Sequence, residues 1–323
     1  MKKKRFIIII LLAIIFSISF FSIYKLIIDS NRIRINKEKE FNTPVTKEES
    51  AKEDSKEKLQ IKVVSEFNQL LALNPSESEL LNFIYLKASS INDKTLNELL
   101  INFINFQYEK LSVHDQMIQN ENIQNELIRK YGKIITQSNL EQLNDLVLKN
   151  KLMALYSGGY ILEFNNGKYH IVINHNFFSQ YEHRISQEIR DFRVINVNLY
   201  NPNESINIQW QYIRQNINLT ESFLTKYPNS KLYSKIYSYY ISNVDYILYG
   251  TDYFDIFTED GELRKDIKSA YKNIMLNNSE YYFKETFSTY YNELINNSFI
   301  INDSIESLRQ ELLQLNVERY QKK

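Results

Sequence analysis

The stretch YILEFNNGKYHIVIN, residues 160–174, is predicted to form a β-hairpin in a chain whose other segments mostly have helical periodicity. Asn166 and Gly167 suit a two-residue turn in which both positions need positive φ. This turn fixes the strand register, so that Phe164 faces Tyr169 on an apolar face. Because an isolated two-stranded hairpin is only marginally stable in water, we expect this face to pack on helices.

The opposite face of the predicted hairpin pairs Glu163 with His170. One interpretation is an exposed cross-strand ion pair, and the other is a histidine that is oriented by a carboxylate and acts as acid or base. The sequence identifies no nucleophile or third group beside this pair, which favours the ion pair and a bracing role for the hairpin. Glu163 and His170 are the candidates if the chain has a catalytic site.

A third strand is expected to flank the hairpin, since two strands alone are marginal. The candidate is FRVINVNLY, residues 192–200, in which Phe192 and Val194 alternate with Arg193 and Ile195. The asparagines of this stretch also suit a loop, so both assignments remain open.

Outside the hairpin, apolar residues recur at helical spacing, and polar capping residues separate the predicted helices. Asn74 is predicted to cap a helix, with Glu77 as the reciprocal residue. Further predicted starts are Asp93, Ser138 with Glu141, and Asp303 with Glu306. Helices joined by short loops pack antiparallel, so the sequence predicts a mainly α protein, built as a helical bundle or an array of helical hairpins.

One of these joints resembles the turn between paired helices in tetratricopeptide-type proteins. The stretch is FLTKYPNS, residues 223–230, and the matching residues are Phe223, Leu224, Tyr227, Pro228 and Ser230. No copy recurs at the 34-residue period of that repeat. The resemblance therefore implies a helix–turn–helix joint at this position and not membership of the repeat family.

The N-terminal segment is predicted to cross a membrane. MKKKR is followed by FIIIILLAIIFSISFFSIY, residues 6–24, whose 19 residues span ~28 Å as a helix, close to the thickness of a bilayer core. The preceding cations hold the N-terminus in the cytoplasm. A cleaved signal peptide is the competing interpretation, because Ser17 and Ser19 are small, but Phe20 continues the apolar run. The segment resembles the signal-anchors of single-pass bacterial envelope proteins.

The predicted organisation has four parts. Residues 1–28 form a cytoplasmic basic tip and a transmembrane signal-anchor, with membrane contact through residues 6–28. Residues 29–58 are highly charged and lack an apolar stripe, so we expect them to form a linker or stalk. A helical domain, 59–157, precedes a domain of hairpin and further helices, 158–323, and the packing of these two as one unit remains open.

Composition excludes several function classes. The chain has 39 basic and 39 acidic side chains, but five of the basic ones lie before Asp29, so the remainder carries a net charge of about −5. A slightly acidic body without a basic cluster is a poor nucleic-acid binder. Cysteine is absent, which excludes disulfides, cysteine-ligated zinc and thiol nucleophiles. No cofactor is predicted, since the glycines around the hairpin lack the spacing of a phosphate-binding loop.

Two segments carry residues of metal-ligand type. His170, His175 and His183 lie close in sequence, but their spacings match no helical ligand pair, and no metal site is predicted. The acidic stretch TDYFDIFTEDGE does not fit the helix–loop–helix calcium loop, which favours an ordinary solvated loop over a noncanonical ion site. Its candidate ion-binding residues are Asp252, Asp255 and Asp260.

Tyrosines crowd the C-terminal helices at helical spacing, which favours core packing, although exposed rings could stack on cell-wall sugars. The favoured function is a non-catalytic one: a membrane-anchored extracytoplasmic protein with an interaction or scaffold role in the cell envelope. It is expected to bind a protein partner or to associate with itself. The alternatives are an envelope hydrolase that uses carboxylates, and a module that binds cell-wall glycans.

Overall fold

The structure, a computed structural model, describes residues 47–165, 167–197, 206–250, 255–276 and 281–321. The predicted membrane span, most of the predicted linker, Asn166 and Asp252 lie outside these residues. The described part is mainly helical, as predicted, with one antiparallel two-stranded sheet. None of its helices is both long enough and apolar enough to cross a membrane.

The helices of the described residues are labelled α1 to α12 in chain order, and the strands β1 and β2. The helices are α1 Lys47–Ala72, α2 Glu77–Lys87, α3 Asp93–Ile118, α4 Glu121–Tyr131, α5 Gln137–Leu140, α6 Leu146–Ser157, α7 Gln187–Val197, α8 Ile206–Lys226, α9 Tyr233–Tyr249, α10 Lys265–Leu276, α11 Tyr282–Asn296 and α12 Asp303–Tyr320. Two 3₁₀-helices, Ala88–Ser90 and His175–Tyr181, and the strands β1 Tyr160–Asn165 and β2 Lys168–Ile173 complete the list. By its internal contacts the chain divides into Met1–Leu59 and Gln60–Lys323.

The first turns of α1 are formed by charged residues of the predicted linker. Residues 53–59 are exposed all around the helix, and Val63 is the first buried residue. Lys58 Nζ lies 2.7 Å from Asp54 Oδ2, an i,i+4 pair of the kind that adds roughly 0.3 kcal/mol to a helix. This part of α1 therefore depends on local interactions and not on a core.

Helix caps lie within two residues of the predicted positions, but the capping residues differ. The cap of α2 is Ser76, whose hydroxyl accepts from Glu79 N while Glu79 Oε2 accepts from Ser76 N. Asn74, the predicted cap, instead ends α1: its N–H donates to Leu71 O, and its φ of 51° is left-handed. The prediction was wrong because one short connection contains both an end and a start. The other observed caps, where Asp93, Ser138 and Asp303 were predicted, are Asn92, Thr136 and Asn302.

The predicted register of the hairpin is confirmed. Phe164 faces Tyr169 and Glu163 faces His170. Tyr169 is fully buried, whereas Glu163 is exposed. The apolar face packs against α3, α4 and α6, which provides the support that an isolated hairpin lacks.

The predicted third strand is wrong, because residues 192–197 belong to helix α7. Ile189, Phe192 and Ile195 are buried at intervals of three, which is helical spacing and not alternation. Asn196 Nδ2 donates to Phe192 O, one turn earlier. In so short a stretch the apolar residues fit both the strand period and the helical period. Ile189, which lies before the stretch, continues the buried series at helical spacing only.

Buried side chains form two groups in the described part of the chain. The larger group is supplied mainly by α1–α3 and α7–α12, and the smaller one by α4, α6 and the hairpin with their connections. The predicted helix–turn–helix joint is confirmed: α8 ends at Lys226, α9 begins at Tyr233, and the two helices pack on each other. The joint lies beside α3 and the start of α7, where a groove forms.

Candidate functional site

The outer edge of β2 is closed by side chains from α4 and the end of α3, and not by a third strand. Asp115 Oδ1 accepts a hydrogen bond from Ile171 N at 2.8 Å. Gln124 accepts from Tyr169 N and donates to Tyr169 O, both at 2.8 Å. Gln119 Nε2 also donates to Tyr169 O, at 3.1 Å. Because an unpaired strand edge tends to pair with other chains, these side chains take the place of the expected strand.

The ring of His170 contacts a different carboxylate from the one that the sequence suggests. Its Nδ1 lies 3.3 Å from Asp115 Oδ2, and the two side chains are 38% and 29% exposed. Glu163 is the cross-strand neighbour of His170, but its side chain is exposed. The same Asp115 carboxylate also accepts from Ile171 N. The His170–Asp115 pair is therefore part of the contacts that fix β2 on α3.

A second histidine–carboxylate pair lies deeper, beneath the start of β1. His114 Nε2 is 2.7 Å from Glu77 Oε1, with side chains that are 22% and 11% exposed. The Tyr160 hydroxyl donates to Gln107 O at 2.9 Å and lies 3.3 Å from Glu77 Oε1. The cluster joins the first turn of α2, the second half of α3 and β1, and it was not predicted from the sequence.

The protonation of this cluster follows from its surroundings. Burial raises the pKa of Glu77, but the hydrogen bonds from His114, from its own backbone and from Tyr160 outweigh burial and hold that pKa below its usual value. Burial, followed by the charge of Glu77, raises the pKa of Tyr160 far above its usual value. At neutral pH the cluster therefore holds a carboxylate and a neutral phenol.

Two glycines allow the chain to enter the hairpin close to this cluster. A Cβ at Gly158 would lie 2.8 Å from the Cβ of Glu77. Gly159 has a φ of 84°, and a Cβ there would lie 2.8 Å from Gln107 Nε2. That amide donates to Gly158 O at 2.9 Å. Glycine is needed at both positions because backbone and side chains approach so closely.

A signal for the buried cluster exists in the helical pattern of α3. The apolar stripe through Leu96, Leu100 and Phe103 continues to Gln107 and then, seven residues further, to His114. Residues at these intervals share one helix face, and Gln107 is fully buried. Polar residues in an apolar stripe are informative because burial requires them to find partners. Their partner Glu77 could not be inferred, since it lies on another helix.

The remaining metal-ligand candidates do not converge. Asp255 and Asp260 are exposed, and Asp252 lies outside the described residues. His175 packs against Phe178 and Phe192, and burial, followed by the charge of Arg193, lowers its pKa to about 4. Within the described residues, no three side chains of ligand type are grouped closely enough to hold a metal ion.

The tyrosines of the C-terminal helices mostly face the core. Tyr240, Tyr271 and Tyr290 are at most 1% exposed, and Tyr233 is 7% exposed. Among the described residues, the exposed large apolar side chains include only one aromatic ring, Tyr85, which lies on α2. The helical spacing therefore marks core packing, as the sequence favours, and the buried rings offer no stacking surface for sugars.

A groove of about 580 Å³ forms a concave surface among the described residues. Its walls are the exposed face of α3, the start of α7 and the α8–α9 joint. The lining residues are Lys94, Asn97, Glu98, Ile101, Ser186, Glu188, Lys226, Tyr227, Pro228, Asn229, Ser230 and Lys231. This volume lies within the range of small-ligand and peptide sites in proteins.

Comparison with protein-family models, with curated proteins and with solved structures finds no similar protein. The geometry of the chain itself must therefore decide between its candidate sites.

The groove and the histidine pairs differ in how many polar groups are already bonded. Around the hairpin, Asp115, Gln119 and Gln124 bond to the backbone of β2. In the groove, by contrast, the side chains of Lys94, Glu98, Glu188 and Asn229 form no ion pair or hydrogen bond with any residue that the structure describes. Unbonded charged groups in a concave surface are available to a ligand, whereas bonded ones mainly hold the fold.

Proposed function

We propose that the chain is a single-pass membrane protein whose helical body lies outside the cytoplasm and binds other proteins of the cell envelope. The anchor is supported by the basic tip and the 19 apolar residues after it. The exposed charged turns of α1 suit a solvated spacer between anchor and body. A tethered body needs little affinity per contact, because tethering raises its local concentration.

The observation that carries the binding role is the groove. It combines a concave shape, the apolar lining residues Ile101, Tyr227 and Pro228, and charged side chains that are not yet bonded. Protein-binding sites join an apolar centre to a polar rim in this way.

A crosslinking experiment tests this function. A photoreactive amino acid at Asn229, on the exposed rim of the groove, should give reproducible adducts with a defined envelope protein when the full chain is expressed in its membrane. The same amino acid at Lys272, exposed on α10, is the matched control and should not. Equal adducts at both positions, or none at Asn229, would reject the groove as the contact surface.

The Glu77–His114 pair favours a second candidate function, an envelope hydrolase. A histidine oriented by a carboxylate is the arrangement of a general base. The full chain should be assayed on purified cell wall and on peptide mixtures, beside Glu77→Gln and His114→Gln. Turnover that both variants abolish while the fold is retained would replace the binding role with a catalytic one.

A further inference from the structure

The charges of the groove follow an order along α3. Lys94 and Glu98 lie four residues apart on this helix, which is about 6 Å. Another four residues on, the Lys231 ammonium donates to Asn102 Oδ1 at 2.9 Å, so this cation lies beside the next turn. The α3 wall therefore presents a cation, a carboxylate and a second cation in sequence.

The start of α7 adds a second negative charge to the groove, beside that of Glu98. Ser186 N donates to Asn97 Oδ1 at 2.6 Å, which places the first turn of α7 beside the Asn97–Glu98 level. Glu188, two residues further, lines the same groove. Its charge also acts on the Tyr227 hydroxyl: burial, then Asp191, then Glu188 raise the pKa of Tyr227 to about 12. Glu98 and Glu188 thus line the groove from two elements.

The distance between successive charges along α3 matches the distance between alternate side chains of an extended polypeptide. Side chains at alternate positions of a strand lie on one face and are ~6.6 Å apart, close to the ~6 Å between successive α3 turns. A segment with an acidic, a basic and an acidic residue at alternate positions would meet Lys94, then Glu98 with Glu188, and then Lys231. Its intervening backbone would lie along Ile101, Tyr227 and Pro228.

We propose that the groove binds an extended segment of a partner protein with the pattern acidic–x–basic–x–acidic. This inference rests on the proposed binding role and specifies its ligand. Because the charge pattern is the same in both directions, either chain direction is compatible with the groove.

Two synthetic peptides of identical composition test the proposal. Acetylated and amidated SELKLES has the proposed order, whereas SKLELES has the same residues with the charges rearranged. Ligand-observed NMR titration of the detergent-solubilised full chain at low salt should give a Kd for SELKLES roughly ten-fold lower, since each exposed ion pair contributes a factor of about 1.4 to 5. Equal affinities, or no binding of either peptide, would overturn the charge order.

Variants of the chain identify the contacts. Glu98→Gln should weaken SELKLES by roughly two- to five-fold. Glu109→Gln, an exposed carboxylate further along α3, is the matched control and should leave the Kd unchanged. In Lys94→Glu, binding of SELKLES should fall, and the peptide SKLKLES should bind better than SELKLES. Identical effects of Glu98→Gln and Glu109→Gln would contradict the proposed contacts.

The peptide and crosslinking experiments together distinguish a failure of the proposed charge order from a failure of the proposed binding role. Loss of peptide discrimination with adducts retained at Asn229 would reject the charge order and leave the binding role intact. Peptide discrimination without any adduct in the membrane would support the groove chemistry and count against an envelope protein partner.

Discussion

Glu77 is a carboxylate that is only 8% exposed, and its charge is retained by hydrogen bonds. Burial of an unpaired carboxylate would favour the protonated form. Here His114, the first-turn backbone of α2 and Tyr160 together outweigh burial, so the folded-state pKa is lowered. The charge of Glu77 is therefore linked to the free energy of folding.

This linkage predicts how stability depends on pH. Because the folded-state pKa of Glu77 lies below its usual value of 4.5, the carboxylate stabilises the fold above that value. The contribution is lost as pH falls through the folded-state pKa. We expect Glu77→Gln to lower the free energy of unfolding by about 1–3 kcal/mol at pH 7, because a charged partner is lost from a buried cluster. Denaturant titrations of the full chain and of Glu77→Gln measure this difference in the free energy of unfolding.

Measurements of stability at acidic pH separate the contribution of the Glu77 charge from the contribution of its packing. The loss of stability between about pH 5 and pH 3 should be smaller in Glu77→Gln than in the natural chain, since the variant has no proton to gain at this position. Glu163→Gln, on the exposed side of β1, should keep the full pH dependence. Parallel curves for all three chains would show that the pKa of Glu77 is not lowered by folding.

Residue-level predictions from sequence succeed where the partner is local. The turn at Gly167 fixes which residues face each other, and Glu163 does face His170. The contact between the His170 ring and Asp115 was not predicted, because Asp115 is 55 residues away along the chain. Glu77 and Tyr160 are separated by 83 residues. Only the packing of helices brings such pairs together, so the sequence alone does not predict them.

Among the elements, the hairpin depends on α3 and α4 for more than apolar contact. Gln124 is 4% exposed and bonds to both backbone groups of Tyr169. A buried backbone group without a partner costs free energy comparable to a lost hydrogen bond. Helical side chains thus provide the hydrogen bonds that a neighbouring strand would provide.

Replacement of Gln124 tests this role. Gln124→Ala should lower the free energy of unfolding by about 1–3 kcal/mol, because it leaves Tyr169 N unpaired in a buried position. Hydrogen–deuterium exchange should also increase in the peptide that contains β2. Glu163→Ala removes an exposed side chain from the partner strand and should change stability by less than about 0.5 kcal/mol. A larger effect of Glu163→Ala would return Glu163 to the list of functional residues.

Element types were more predictable than element ends. Among the described residues, most apolar stripes with helical spacing lie in helices, and the joint before Pro228 is placed correctly. The segment at Phe192 was predicted as a strand or a loop and is a helix, because its few apolar residues fit two periods. Asn74 was assigned to the wrong helix, because asparagine suits both a cap and a left-handed end. Both errors arise where the local sequence is compatible with two backbone conformations.

At the scale of the molecule, the groove shows why a binding site can remain hidden in a sequence. Its walls come from residues around 94–101, 186–188 and 226–231, which lie far apart in the sequence, and the one resemblance among them, at 226–230, indicates a turn and not a ligand. The α8–α9 joint and α3 were predicted from the sequence, but α7 was not. What the sequence does offer is the charge balance of the body, which argues against nucleic acid as a partner.

The proposed topology predicts the accessibility of introduced thiols. The chain has no cysteine, so Ser55→Cys creates a single thiol on an exposed part of α1. Since basic residues before an apolar span are retained in the cytoplasm, Ser55 should lie outside. A membrane-impermeant maleimide should then label Ser55→Cys in intact cells. Lys2→Cys, which keeps Lys3, Lys4 and Arg5, should be labelled only after the membrane is permeabilised.

The pair of variants also separates an anchor from a cleaved signal. An anchored chain keeps the Lys2→Cys thiol and the body in one polypeptide of full length in the membrane fraction. A cleaved chain loses this thiol and releases the body, because signal peptidase removes everything before the cleavage site. Labelling of Lys2→Cys but not Ser55→Cys in intact cells would invert the topology and place the groove in the cytoplasm. An envelope partner for the groove would then be impossible, whatever the affinity of the peptides.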